Sequence, residues 1–175
     1  MGVSYQLLKE EKFRAIYQRN VKRVYRICLL YLKSSSEAED ATQDIFIKYL
    51  VKQIEFKNED HEKAWFIVVA KNYCKDSLKS WWKSRRIDIE SLPEIYCSKE
   101  ETHVTDILEK LLSLPKKYRI VMYLYYYEEY SIKQISDILN LKESTIQTQL
   151  SRGRNLLKEK LGGVNNGSKK PKESF

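Results

Sequence analysis

Apolar residues recur at spacings of three and four through most of the chain, which is the period of an α-helix. Only 5 Gly and 3 Pro occur among the 175 residues, so few positions would interrupt a helix. The sequence therefore predicts an all-α fold. The first predicted helix, in residues 13–33, has apolar side chains about one turn apart: Phe13, Ile16, Tyr17, Val21, Val24, Tyr25, Cys28 and Leu32.

Two further helices are predicted in the first half of the chain. Residues 34–54 begin with serines suited to capping and have an acidic first turn, both typical of a helix N-terminus. The polar segment 57–63 is interpreted as a break, and residues 64–86 as a third helix. The apolar side of the second helix is predicted to contain Ile45, Phe46, Tyr49 and Leu50.

The second half of the chain predicts shorter helices. After one such helix, Pro115 suits the first turn of another in 115–130, because its fixed φ is helical and no hydrogen bond is lost there. The segment 131–150 is typical of two short helices with a tight break at Asn140. The final helix is predicted to end near Leu161, where two glycines follow.

Charge divides the chain into four parts. The net charge is +8 with a pI of about 9.2, which favours a polyanionic partner. Residues 1–86 have a net charge of +7 and are predicted to form one domain, and residues 105–161 a second domain with +3. Residues 87–104 have −4 and contain Pro93, which indicates an acidic linker. Residues 162–175 have +2 and the composition of a disordered tail.

Several classes of protein are not indicated. No apolar run approaches the roughly 18 residues that a membrane span needs, and the N-terminal sequence has no signal-peptide core. The three cysteines form no CxxC pair, so we expect neither a disulfide framework nor a metal site, and no cofactor. His61 and His103 lie in polar segments, where solvated roles are expected. We therefore expect a cytoplasmic protein that is not an enzyme.

Lysines repeat every four residues along the third predicted helix: Lys71, Lys75, Lys79 and Lys83. They form a stripe on one side of a helix that Trp65 and Phe66 open. Lysines neutralise phosphates and aromatic faces accept unstacked bases, so the stripe is suited to single-stranded nucleic acid. A solvated basic face over a core helix explains the same pattern.

The segment 131–150 has the features of a helix-turn-helix. Ser131 and Gln134 are spaced for a capping box, and Asn140 tolerates the left-handed backbone of a tight turn. Ile135 and Ile138 are predicted to face a core, and Leu141 to pack into the turn. In a helix-turn-helix the second helix enters the major groove. A helical hairpin that serves a protein contact remains the alternative.

The second helix of this pair would present a polar surface near its start. Gln can bond adenine through two atoms, Ser and Thr can contact bases or phosphates, and Arg can hold the backbone. The predicted DNA-binding residues are Lys142, Ser144, Thr145, Gln147, Thr148, Gln149, Ser151, Arg152 and Arg154.

Three motifs in order carry a resemblance to a known family. The first is EAEDATQDIF. The second places Trp65, Phe66, Ala70, Lys71, Asn72 and Asp76 in a W-[LF]-x-x-x-A-[RK]-N-x-x-x-D pattern. The third combines LPKKYR with the T-[VI]-x-[ST]-x-L-x-R-[AG]-R pattern of the last helix. Over residues 9–161 the chain resembles the extracytoplasmic-function (ECF) group of sigma-70-type RNA polymerase sigma factors.

The resemblance implies which partners the chain would bind and which residues would contact them. Core RNA polymerase would be bound through the second helix, at Glu39, Asp40, Gln43, Asp44 and Phe46. Melted minus-10 DNA would be held by Trp65, Lys71, Asn72, Lys75, Lys79 and Lys83. The minus-35 duplex would be read by the recognition residues of the last helix. The acidic linker would thread the RNA-exit path, and an anti-sigma factor is a further possible partner in this group.

The chain also departs from the family pattern. Gln134 stands where relatives usually have an acid, Glu129 where they often have Gly, and Gln147 and Gln149 where they often have basic residues. An adenine-leaning minus-35 preference is therefore our hypothesis. A helix-turn-helix regulator that does not act as a sigma factor, and a helical adaptor protein, are the alternatives. The tyrosine-rich run 123–130 is compatible with a core or with a docking face.

Overall fold

The computed structural model describes residues 2–84 and 106–161, which form seven helices and contain no strand. The predicted all-α class is confirmed. The predicted linker 87–104 and tail 162–175 lie outside the described residues, as does His103. None of the helices in the two described ranges has the length and apolar content that crossing a membrane requires.

The first three helices pack around one core. Val24, Ile45 and Phe66, one from each helix, are fully or almost fully buried. Ser34 caps the second helix as predicted, because its side chain accepts a hydrogen bond from the backbone N–H of Glu37 at 3.3 Å. The helices are α1 (Gly2–Leu32), α2 (Ser35–Lys52) and α3 (Glu59–Ser84).

The third helix begins earlier than predicted. The segment 57–63 is not a break throughout, since α3 already begins at Glu59. The Asn58 side-chain oxygen accepts a hydrogen bond from the backbone N–H of His61 at 2.8 Å, which caps the helix. Three acidic residues in the first turn suit the positive end of the helix dipole. Trp65 therefore lies in the second turn of α3 and not at its start.

The second group of helices follows the predicted order. The carbonyl of Pro115 accepts hydrogen bonds from the next turn, so this proline stands immediately before its helix. That helix ends at Tyr126, earlier than the predicted 130, and Glu129 in the following turn has a left-handed backbone with φ 58°. The helices are α4 (Asp106–Leu112), α5 (Lys116–Tyr126), α6 (Ile132–Leu139) and α7 (Glu143–Leu161).

The tyrosine-rich run divides between core and surface. Tyr123 and Leu124 are buried, whereas the side chains that follow are exposed by 38–53%. Those exposed tyrosines are Tyr125, Tyr126 and Tyr127. Neither of the two interpretations offered for the whole run is therefore right by itself.

The two groups of helices touch each other. Helix α1 contacts α5, and α3 contacts α6. The predicted polymerase surface lies on α2 and the predicted recognition surface on α7, so both remain outside these contacts.

Candidate functional site

The helix-turn-helix forms as the sequence predicts. The Ser131 hydroxyl accepts a hydrogen bond from the backbone N–H of Gln134 at 3.2 Å, and the Gln134 side chain accepts one from the N–H of Ser131 at 2.9 Å. This reciprocal capping box fixes the start of α6. Asn140 has φ 54° and ψ 54°, which is the predicted left-handed turn. Leu141 differs from prediction, since 40% of it is exposed.

One side of α7 is apolar and packs against the core, and the opposite side is polar and faces solvent. Ile146 and Leu150 are buried, and Leu157 is partly buried against the core. At 100° per residue the opposite side is centred on Ser144, Thr148 and Ser151. The exposed predicted residues are Lys142, Ser144, Gln147, Thr148, Ser151, Arg152 and Arg154, while Thr145 and Gln149 are half-buried.

One hydroxyl on this surface is already engaged. Thr148 donates its proton to the carbonyl oxygen of Ser144 at 2.8 Å. Threonine back-bonding of this kind is common in helices and leaves the oxygen lone pairs available. Thr148 can therefore accept a hydrogen bond from an incoming ligand, but it does not have a free proton to give.

A groove of about 260 Å³ lies where α7 meets the N-terminus of α5. Lys117 and Arg152 line it, together with Tyr118. Burial alone would raise the pKa of Tyr118, but hydrogen bonds with Arg152 and Lys117 lower it below its ordinary value. The groove has positive charge and the positive end of a helix dipole, which suits a phosphate. Lys117 was not predicted, although its place beside Pro115 at a helix start was a usable signal.

The predicted lysine stripe on α3 divides in the structure. Asn72, Lys75 and Lys79 are exposed, and Lys79 lies 3.9 Å from Asp76 in an exposed ion pair of little energetic weight. Lys71 differs because it is only 7% exposed, and its Nζ donates to the carbonyl oxygen of Ile138 in α6 at 2.6 Å. The side chain of Lys83 lies outside the described residues.

Trp65 belongs to an aromatic cluster between α2 and α3. Its ring lies 4.9 Å from that of Phe66, 5.7 Å from Phe56 and 6.1 Å from Tyr49. Trp65 is half-buried, so one part of its indole packs against the cluster while another part faces solvent. His61, exposed as predicted, lies with its ring at 5.7 Å from Phe56.

The predicted polymerase surface on α2 consists of Glu39, Asp40, Gln43 and Asp44, all exposed. Tyr73 of α3 donates a hydrogen bond to the Asp44 carboxylate. That bond, together with burial, raises the pKa of Tyr73 to about 12. Tyr73 of the neighbouring helix α3 therefore fixes the orientation of the Asp44 carboxylate.

Phe46 was predicted to contact the polymerase, but it does not lie on this surface. It is 3% exposed, and its ring lies 4.7 Å from that of Tyr17 and 5.0 Å from that of Phe66. Its role is to anchor α2 in the core. Leu50 was predicted to be on the buried side but is 47% exposed.

An exposed apolar strip lies beside the acidic residues of α2 and was missed from the sequence. It consists of Ile47, Leu50 and Val51. Exposed apolar side chains grouped in this way mark protein interaction sites. Among the described residues, no group of three or more His, Cys, Asp or Glu side chains could hold a metal ion.

Comparisons with known proteins agree on one family. The family described as "Sigma-70 region 2" matches residues 16–84, and "Sigma-70, region 4" matches residues 105–157. The ECF RNA polymerase sigma factor SigM of Bacillus subtilis is 31% identical over 151 residues, which cover 82% of this chain and 91% of the relative. SigW of the same organism is 29% identical over 169 residues, covering 87% and 90%.

A solved structure has the same fold. The sigma factor RpoE from Bartonella quintana, in complex with the anti-sigma factor NepR, matches with a TM-score of 0.66 and 21% identity. The match covers 89% of this chain and 99% of that one. CnrH, in complex with the cytosolic domain of CnrY, matches with a TM-score of 0.59 and 14% identity.

Proposed function

The chain belongs to the ECF group of the sigma-70 family of RNA polymerase sigma factors, and from this premise we propose that it directs core polymerase to promoters with minus-10 and minus-35 elements. The observation that carries the proposal is the α2 surface. It combines exposed carboxylates with the apolar strip of Ile47, Leu50 and Val51. A DNA-binding regulator that works without the polymerase has no need of this surface, so that alternative is not favoured.

In this proposal α2 binds the polymerase through charge and apolar contact together. Asp40 and Gln43 lie one turn apart on the exposed side, and Asp44 is oriented by Tyr73. Protein interfaces of this kind combine an apolar centre with a polar rim. The apolar strip would supply most of the affinity and the carboxylates most of the specificity.

Helix α7 reads the minus-35 duplex in this proposal. Its exposed side enters the major groove, with Ser144, Gln147 and Ser151 nearest the bases. Arg152 and Lys117 hold a backbone phosphate in the groove between α5 and α7. The remaining predicted residues, which flank this centre, are Lys142, Thr145, Thr148, Gln149 and Arg154.

Helix α3 holds the melted minus-10 strand. Asn72, Lys75 and Lys79 are accessible to phosphates, and the exposed part of Trp65 offers a stacking surface. Lys71 and Lys83 complete the predicted stripe. The protein acts in the cytoplasm as a transcription initiation factor and leaves catalysis to the polymerase. Because the RpoE and CnrH structures are complexes with NepR and CnrY, an anti-sigma protein is a further proposed partner.

The test is transcription in vitro with bacterial core polymerase on a library of randomised promoters. New transcripts that share two spaced elements are expected when the protein is added. Asp40→Lys should abolish them and also abolish co-purification with core polymerase. Glu10→Lys, which changes an exposed acid on α1 by the same charge, should have no effect. Intact binding to duplex DNA without any new transcript would contradict the sigma function.

A further inference from the structure

Besides apolar packing, charged side chains join the two groups of helices. Arg23 on α1 donates through Nε to Glu128 after α5 at 2.6 Å, and both side chains are largely buried, with 16% and 8% exposed. The guanidinium of Arg26 lies 4.6 Å from the ring centre of Tyr127. These contacts hold the turn after α5 against the C-terminal third of α1.

The Arg23–Glu128 pair is part of a longer hydrogen-bond chain. Arg23 also donates to the side-chain oxygen of Asn20 at 2.8 Å, and Asn20 donates to Glu62 at 2.5 Å. On the other side, Tyr123 donates its hydroxyl proton to Glu128 at 2.7 Å. The chain therefore runs from the first turn of α3, through α1, to the core of the second group. Fixed partners on both sides orient the pair that joins the two groups.

Lys71 makes the second connection. The carbonyl of Ile138 is one of the last four of α6 and has no partner within its own helix. The Lys71 ammonium satisfies this carbonyl and complements the negative end of the helix dipole. Burial, and to a smaller extent Lys75, lowers the pKa of Lys71 below its ordinary value. A strand that lies along α3 cannot reach this ammonium unless α6 moves away.

We propose that these contacts form a latch, consisting of Arg23–Glu128, Arg26–Tyr127 and Lys71–Ile138, that holds the free protein closed. In the closed form Lys71 is withheld from the minus-10 strand. Opening frees its ammonium for phosphate, and α6 then separates from α3. The inference rests on the proposed minus-10 role of α3.

The latch joins two groups of helices in one chain, and this explains why it can open. Interfaces between domains of one chain resemble transient interfaces and allow relative motion. Polyanionic DNA reaches Lys71 only in the open form and therefore shifts the equilibrium towards that form. A ligand that binds only the open form has its affinity reduced by the fraction of protein that is open. Loosening the latch should therefore tighten binding of single-stranded DNA, because a larger fraction of the protein has Lys71 free for phosphate.

The experiment compares full-length variants. Glu128→Gln removes the charge that holds Arg23 but keeps an acceptor for Tyr123. Glu129→Gln is the matched control, because it makes the same charge change at an exposed neighbour. Arg26→Gln tests a second point of the latch, in case Glu128→Gln does not fold. Circular dichroism establishes that each variant is folded.

Two readouts are needed. Small-angle X-ray scattering measures the maximum dimension of the protein, and fluorescence anisotropy measures the affinity for a mixed-sequence single strand of about a dozen nucleotides. If about nine tenths of the protein is closed, Glu128→Gln should bind up to about tenfold more tightly than Glu129→Gln. It should also be more extended. In a Lys71→Ala background, Glu128→Gln should gain little affinity over Lys71→Ala alone, because the ammonium that opening frees is absent.

The outcomes separate the latch from the sigma function. Equal affinities and equal dimensions for the two variants would overturn the latch, and so would an extended Glu128→Gln protein with no gain in affinity. A gain that survives Lys71→Ala would overturn the role given to Lys71. The sigma function is tested separately by transcription with the unaltered protein, so either conclusion can fail while the other holds.

Discussion

The most informative single perturbation of stability is Glu62→Ala. Glu62 lies in the first turn of α3 with its side chain 7% exposed. It accepts hydrogen bonds from Asn20 at 2.5 Å and from Arg19 at 3.2 and 2.8 Å. Asn20 is itself fully buried. The carboxylate therefore joins α3 to α1 at a point from which water is excluded.

The hydrogen bonds that Glu62 accepts contribute unequally to the stability of the protein. A hydrogen bond to a charged group contributes about 1.5–3 kcal/mol, and the Asn20–Glu62 bond is buried at both ends. The Arg19 side chain is 46% exposed, so its pair with Glu62 is partly screened and adds less, below about 1 kcal/mol. Asn20 retains its bond to the carbonyl of Ile16. Glu62→Ala should lower the free energy of unfolding by about 2–3 kcal/mol.

The assay uses the distribution of tryptophans. All three, Trp65, Trp81 and Trp82, lie in α3, so tryptophan fluorescence in urea reports on the unfolding of the first group of helices. The expected loss corresponds to a fall in Tm of roughly 10 °C or more for a domain of this size. Glu59→Ala is the matched control, since Glu59 is an exposed acid in the same helical turn. It should cost below about 1 kcal/mol through the helix dipole.

One result would refute the reasoning. If Glu62→Ala unfolds at the same urea concentration as Glu59→Ala, the buried carboxylate does not join the two helices. A loss in Glu62→Ala with a changed urea dependence would instead mean that the compactness of one state had changed.

Three further predictions concern α7 and the turn before α6. Glu129→Gly should raise the free energy of unfolding by about 0.5–1 kcal/mol in thermal unfolding, because Glu129 has φ 58° and Gly adopts that backbone without strain. Gly153→Leu should lower the free energy of unfolding by about 1–3 kcal/mol, because even a Cβ there would lie 3.0 Å from Cγ of Met122. Unchanged stability in urea would contradict this packing. Gln147→Ala should relax an adenine preference in the minus-35 element worth about 1–3 kcal/mol, and a binding-site selection without any shift would refute that preference.

Local features of the fold could be predicted because their causes are short in sequence. Ser131 and Gln134 are three residues apart, and their capping box forms as predicted. Asn140 adopts the predicted left-handed turn. The early start of α3 was missed, although Asn58 and the acids after it were a local capping signal. The apolar periodicity begins only after the capped first turn, so periodicity by itself does not include that turn.

The family resemblance proposed the residues of the candidate site, and the structure shows which of them are exposed. Asp40, Gln43 and the polar side of α7 are exposed where the resemblance implied contacts. The motif also included Phe46, whose place in the pattern comes from its role in the core. A sequence motif does not distinguish a residue that touches a partner from one that positions its neighbours.

Only the tertiary structure decided which side of each helix is covered. That choice depends on packing against helices that are distant in sequence. Lys71 has the same type and spacing as Lys75 and Lys79, yet it alone of the three meets the end of α6, 67 residues away. Leu50 fits an apolar pattern but is 47% exposed, because it lies at the edge of an open cleft between α1 and α2. Hydrogen bonds within a few residues determine the helices, whereas long-range packing determines which of their charges are available to DNA.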